Sequence, residues 1–275
     1  MSEAAKILSV VLAAVSHTWT WFVGFMNTNF SAALFGAFGG AWAAHAIAVR
    51  TERHNRLRQE IAGVNAAIAL SNTISNVFIT IKKHHVRDMM PLYKRGFDAF
   101  IAVLMNPPDK PRLFEFINDF RELDVPYTAI VELRETLLNR VPSSGGALSI
   151  AIALQQCIES FENLLENRNR TIDRLRAMNE EDRVCAYFGV RNPRGHIDER
   201  YADQMTGLLS MVDSGIYFPM LLCEVLTAHG NKVAQQLGRG APKVAKISYA
   251  PFEEGLLPDP AEFPDYEDSF RPKKK

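Results

Sequence analysis

Two stretches concentrate the side chains that could do chemistry. In ITIKKHHVRDMMPLYKR, residues 79–95, Lys82, Lys83, His84, His85 and Arg87 crowd together, with Lys94 and Arg95 close behind. In GVRNPRGHIDER, residues 189–200, Arg191 and Arg194 flank a turn that also carries His196. Guanidinium forks and ammonium groups suit phosphate or carboxylate, so Lys82, Lys83, His84, His85, Arg87, Arg191 and Arg194 are the candidate anion-binding residues. The plainer alternatives are a helix end whose cations oppose its dipole, and a polar loop that caps the next helix.

Metal chemistry is poorly supported. His84 and Asp88 stand four apart, yet no third ligand follows at readable spacing. Glu159, Glu162 and Glu166 invite comparison with carboxylate-bridged metal bundles, but no Glu-x-x-His accompanies them. They intermix with Arg168, Arg170, Arg174 and Arg176, which reads as a salt-bridged surface. Cys157, Cys185 and Cys223 form no CxxC pair and read as reduced, buried thiols. No phosphate-cradling P-loop, zinc-protease, nucleophile-elbow or dinucleotide motif occurs, and the glycine-rich GRGAPK at 238–243 follows a helix rather than opening one. No catalytic, cofactor or metal residue is therefore expected, and the balance leans away from an enzyme.

These groups have to be positioned by helices. The chain has 275 residues, 47% of them apolar and 23% charged, enough to bury a core. Its 31 basic residues match its 31 acidic ones, so no global field favours nucleic acid. The charges are unevenly placed. Between Lys6 and Arg50 lie 43 residues without one Asp, Glu, Lys or Arg. The run Phe30 to Val49 matches the roughly 20 residues that cross a bilayer. A second run, Ile7 to Met26, is weaker because His17, Trp19 and Trp21 would sit deep in it. Asn27, Thr28 and Asn29 between the runs suit a turn. Two spans forming a hairpin is the favoured topology; a single span with the first run lying in the interface is the alternative. Arg50, Arg53, Arg56 and Arg58 mark the cytoplasmic side in both. A cleaved signal is disfavoured, since the leading MSEAAK lacks net positive charge. Ala32, Gly36, Gly40 and Ala44 recur every fourth residue and offer a stripe for close helix packing. His45 falls near the headgroups as an interfacial histidine.

Beyond Thr51 a helix of some 35 to 40 residues is expected up to Pro91. Leu57, Ile61, Val64, Ile68, Ser71, Ser75, Phe78 and Lys82 follow coiled-coil spacing, a seam that either self-associates or packs beneath later helices, with Asn65 and Asn72 beside it. Pro91 restarts a short helix that ends at NPPDKP. Phe97, Phe100, Phe114, Phe116 and Phe120 form an aromatic core. A helix follows over 126–140, and a long one over 147–179 buries Ile150, Leu154, Ile158, Phe161, Leu165, Ile172 and Leu175. Residues 197–237 are helical, with Gly215 and Pro219 expected to kink or split them. The last forty residues, acidic and proline-rich, end in RPKKK and read as an extended tail whose Tyr249, Phe252, Leu256, Leu257, Phe263 and Tyr266 dock on the body or on a partner.

The expected architecture is all-α: a membrane anchor over 1–49, of one or two spans, continuing into a long helix and a cytoplasmic helical domain over 50–240, with an extended acidic tail over 241–275. The expected protein sits in the inner (plasma) membrane with most of its chain in the cytoplasm, and it homo-oligomerises. It acts as a non-enzymatic effector or sensor, without cofactor or nucleic acid. Small bacterial membrane proteins of this layout serve stress or phage-defence responses, an analogy of architecture only. The alternative is a passive scaffold that recruits a cytosolic partner through the tail.

Overall fold

The computed structural model describes residues 15–20, 23–24, 29–105, 116–141, 144–248 and 255–270. Within them the chain is all-helical, and its one β-bridge, Arg191 with Ile197, closes a loop. It divides into two units, residues 1–56 and 57–275.

Helix α1 (Asn29–Ile81) contributes residues to both units. In the first unit, every side chain from 33 to 53 is exposed. Phe38 is 68% exposed, Trp42 75% and Ile47 67%, values far from those of a soluble helix that buries one face. The weaker run, Ile7 to Met26, and the turn at Asn27 and Thr28 lie mostly outside the described residues. Two helical stretches are long and apolar enough to cross a membrane, Ala33–Met105 and Arg200–Leu237. The apolar residues of the second are accounted for by the core of the other unit.

That core is organised by three long helices. α1 continues through a π turn (Lys82–Val86) into α2 (Arg87–Met105). The Arg87 N–H reaches the Lys82 carbonyl, the wider spacing that defines the turn. The extra residue keeps Lys82, Val86 and Met89 all buried. Pro91 was expected to start a new helix, but it sits inside α2. Packing of Met89 and Tyr93 into the core on either side holds the helical path there despite the bond lost to proline. α3 (Ile130–Arg140), α4 (Gly145–Ala177), α5 (Glu180–Phe188) and α6 (Arg200–Leu237) follow. α4 and α6 form the most extensive helix pair among the described residues.

The seam read from α1 spacing is the buried face. Ile61, Val64, Ile68, Ser71, Ser75 and Phe78 are 0% exposed. Its partner is α6, running antiparallel. His229 Nε2 lies 2.8 Å from Glu60, Gly230 faces Val64, and the Cys223 thiol donates to the Ile68 carbonyl at 3.6 Å. Further along, Gly215 faces Phe78 and Lys82 pairs with Asp213 at 2.6 Å. The seam packs inside the chain, the second of the two arrangements open to it. α6 is one unbroken helix through Gly215 and Pro219. Gly215 is required there: a Cβ would enter the van der Waals envelope of the Phe78 ring.

Along α4, all seven apolar residues read from the sequence are buried. Arg168, read as part of a charged surface, is also fully buried. Its Nη1 donates to the Arg121 carbonyl at 2.8 Å, and its Nη2 approaches the Asp119 carbonyl and the Tyr201 hydroxyl, each at 3.4 Å. It thereby anchors the irregular segment 116–128, which Asn169 also holds at both backbone groups of Leu123. Phe97, Phe100, Phe116 and Phe120 join Tyr187 and Phe188 in an aromatic cluster, while Phe114 lies outside the described residues.

The chain after α6 is docked. The Asn65 amide donates to the Lys243 carbonyl at 3.0 Å and accepts from the Ala245 N–H at 2.8 Å. Thr227 donates to the Ala245 carbonyl at 3.3 Å. Asn65, noted beside the seam, thus pairs with backbone as a neighbouring strand would. A 3₁₀ turn (Pro260–Glu262) and helix α7 (Pro264–Phe270) follow, so the described part of the acidic segment carries helical structure.

Candidate functional site

A concavity lies where α5 turns through the polar loop into α6. Asn179 caps α5, accepting from the Asp182 N–H at 2.9 Å. Gly189, with φ of 68°, ends it, and such a left-handed position favours glycine. The loop then folds on Asn192, whose side-chain oxygen accepts the N–H groups of Arg194 and His196 at 3.1 and 2.9 Å. This is the Asx-type local bonding that makes Asn a turn former.

The result is a cavity of about 240 Å³. Met178, Cys185, Ala186 and Val190 supply apolar or soft lining, and Asp182, Asn192, Arg194, His196, Asp198 and Arg200 supply polar groups. Arg194 meets Asp182 at 3.0 Å. Arg200 grips Asp198 through Nε at 2.7 Å and Nη2 at 2.5 Å. The cations of the cavity are therefore matched by acids, which suits a ligand with polar groups of both signs more than a bare anion.

Three carboxyls in this part of the fold are held below the usual carboxylate range. For Asp182 the main cause is the bond from Asn179, helped by Arg194 and Asn192. For Asp198 it is the bond from Arg200, opposed by burial and helped by Arg174. At Asp119 burial pushes upward, but bonds from Arg121 and the charge of Arg168 outweigh it. The Cys185 thiol is pushed up by burial, then by Glu181 and Asp182, so it is no ready nucleophile. Burial also lifts the Tyr93 hydroxyl to about 12.

A depressed carboxyl stabilises the fold fully above its unfolded value and loses that contribution as pH falls through its folded value. The ordinary value for Asp here is 3.8. Stability should thus hold at neutral pH and drop as pH falls below about 4, as these carboxylates take up protons. Urea midpoints measured across that range should fall steeply, and Asp198→Asn should flatten the fall. A midpoint indifferent to acid would count against these contacts.

The candidate anion-binding residues are not brought together as one group. Lys82 turns inward to Asp213. Lys83 and His85 are half-buried, with the His85 Nδ1 enclosed, while His84 and Arg87 face solvent. Arg194 lines the cavity, whereas Arg191 is exposed and absent from its lining. A Cβ added at Gly36 or Gly40 would meet nothing within 4 Å, Ala44 is exposed, and Ala32 is helical. No group of three or more His, Cys, Asp or Glu able to hold a metal occurs among the described residues.

Sequence reasoning missed Arg168 and Asp213 as buried polar groups. Arg168 could have been found. It stands in the 4,3,4,3 series Leu154, Ile158, Phe161, Leu165, Arg168, Ile172, Leu175, at a position that spacing assigns to the core. No family model matches this chain, and no curated protein or solved structure is found similar to it.

Proposed function

We propose that the protein is a non-enzymatic effector or sensor anchored in the inner (plasma) membrane, whose helical body lies in the cytoplasm and whose membrane helix self-associates. One observation carries the reading: the uncharged segment of α1 exposes Phe35, Phe38, Trp42, Ile47 and Val49, each more than half. Such side chains in water would expose far more apolar surface than a soluble helix tolerates, and hydrocarbon removes that cost. The basic residues at 50, 53, 56 and 58 support a cytoplasmic body.

The cavity beneath the polar loop is the place we assign to signal reception. Its fixed turn and paired charges support recognition, while its high-pKa thiol gives no support to catalysis. A scaffold acting through the tail has less support, since Phe263 stacks on Tyr217 and Tyr266 packs edge-on against Phe218 of the protein's own α6.

Self-association is tested by cross-linking the full chain in native membranes. Changing Gly36 and Gly40 to Leu fills the small-residue stripe at two positions where an added Cβ meets nothing within 4 Å. The cross-linked species should fall at least tenfold, as should any membrane permeabilisation caused by high-level expression. Unchanged cross-linking would remove the self-association from the proposal.

A further inference from the structure

The cations of the helical body are not spread evenly along it. Where α1 enters that body, Leu57 and Ile61 pack with Val233 and Leu237 of α6 and with Ala241 and Val244 beyond it. Basic residues adjoin each of these contacts. Arg58 follows Leu57, Lys232 precedes Val233, Arg239 stands two residues beyond Leu237, and Lys243 precedes Val244. The Asn65 clamp on the Lys243 carbonyl and the Ala245 N–H brings Lys246 to the same level. Arg140 joins from the end of α3, since a Cβ added at Gly63 would lie 2.5 Å from the Arg140 Cβ. Gly63 and Asn65 are two residues apart on α1, about 200° around its axis, so Arg140 and Lys243 approach from opposite sides and the cations form a collar.

All six cations are exposed, and none forms an ion pair among the described residues. The acid at this level, Glu60, already faces His229 at 2.8 Å. Residues 225–248 carry Lys232, Arg239, Lys243 and Lys246 without one Asp or Glu. The other end of the α1–α6 pair differs. There, about 37 Å along α1, Lys82 is matched by Asp213. Because the whole chain balances 31 basic residues with 31 acidic ones, the collar is a local segregation of charge rather than part of a general excess.

We propose that this collar is a docking surface for the phosphate headgroups of anionic lipids. Only residues 50–56 separate the uncharged run from Leu57, a reach of at most about 27 Å, so this is the end of the body that an anchored chain tethers to the bilayer. The inference rests on the membrane reading for its partner. Lys and Arg within a Debye length of an anionic leaflet, about 8 Å at physiological salt, are drawn to it. The collar is assembled from α1, α3, α6 and the clamped segment, so it exists only in the folded body. Lipid charge would then set how the body stands over the membrane.

The test uses the full chain reconstituted in vesicles of phosphatidylcholine, alone or mixed with phosphatidylglycerol. A fluorophore on Gln236→Cys, an exposed position beside the collar, is read for quenching by nitroxide-labelled headgroups; the buried native thiols leave it the reporter. Phosphatidylglycerol should raise the quenching at least threefold, and high salt should reverse the gain. The same fluorophore on Tyr127→Cys should not respond. Changing Arg58, Lys232, Arg239 and Lys243 together to Gln should abolish the gain with helix content unchanged, and exchanging Arg for Lys and Lys for Arg at these positions should restore it. Arg239→Gln with Lys243→Gln, both outside any helix, should remove at least half of the gain and serves if the fourfold variant loses helix content. Quenching indifferent to phosphatidylglycerol, or unaltered in the Gln variants, overturns the inference. So does a fluorescent RNA oligonucleotide that binds the detergent-solubilised chain at physiological salt and is released by the same substitutions, because the collar would then be a nucleic-acid surface. The anchor is read separately, by retention on phosphatidylcholine vesicles through a carbonate wash: loss there removes the anchor, whereas a salt-sensitive response to phosphatidylglycerol still upholds the collar.

Discussion

Replacing Gly215 by alanine is expected to destabilise the helical body by about 1–3 kcal/mol, although alanine is the better helix former by about 1 kcal/mol. The reversal comes from α1. The new methyl would have to share space with the Phe78 ring, which is 0% exposed and packed edge-on against Phe161 at 5.2 Å. Neither ring can retreat without opening α1 from α6. Unfolding temperature should fall by several degrees, at about 2–4 °C per kcal/mol for a unit of this size. Gly207→Ala is the control on the same helix. Its Cβ would make ordinary contact with Leu164 at 3.6 Å, so the helix-propensity gain should appear undiminished. Thermal unfolding of the two variants should move in opposite directions, and Phe78→Leu should relieve part of the Gly215→Ala penalty. If both glycine variants gain stability, α1 and α6 are not as close as described.

A larger effect is expected at Lys82 and Asp213. Their side chains are 10% and 12% exposed and meet at 2.6 Å between α1 and α6. Lys82→Met keeps the aliphatic length and leaves the Asp213 carboxylate buried without its cation. Breaking a buried pair from one side costs about 3–5 kcal/mol, mostly as uncompensated charge. Replacing both partners, Lys82→Met with Asp213→Leu, should restore stability to near or above that of the wild type, since an apolar pair avoids desolvation altogether. Chemical denaturation of the four proteins gives the coupling directly. Additive effects would show that the two groups act independently.

This ion pair stands at the end of a seam that changes character along its length. Ile61, Val64 and Ile68 give way to Ser71 and Ser75, whose buried hydroxyls have no hydrogen-bond partner among the described residues, and then to Lys82 at the π turn. The apolar half of the interface is generic, whereas the Lys82–Asp213 pair forms only in one register. Removing the ion pair therefore tests specificity as well as stability.

The helical class, the α1 seam and the buried face of α4 were legible because each repeats an apolar residue at helical spacing. Even the polar seam positions Ser71, Ser75 and Lys82 could be assigned to the same face. Continuity through Pro91 and Pro219 was not legible. Local propensity argues against both, and contacts from distant parts of the chain decide the outcome: Met89 and Tyr93 in one case, and the neighbours of the buried Pro219 in the other. Arg168 shows a third limit. Its spacing placed it in the core while its charge argued for the surface, and the deciding carbonyls come from Asp119 and Arg121, nearly fifty residues away. For the candidate site, the loop at 189–200 and the cation at 194 were visible, but the pairing of Arg194 and Arg200 with Asp182 and Asp198 was not. The basic run at 82–87 looked like one patch because sequence proximity hides the direction each side chain takes from a helix, most of all across a π turn.

The central claim is that the exposed apolar part of α1 lies in hydrocarbon. The native thiols Cys157, Cys185 and Cys223 are 7%, 7% and 3% exposed, so a single introduced cysteine reports its own surroundings. In membrane vesicles carrying the full chain, Phe38→Cys should resist a charged, membrane-impermeant maleimide, while Tyr127→Cys, at a position 78% exposed, should be labelled readily when the cytoplasmic face is accessible. Equal labelling at both positions, or recovery of the protein in the soluble fraction, would contradict the claim.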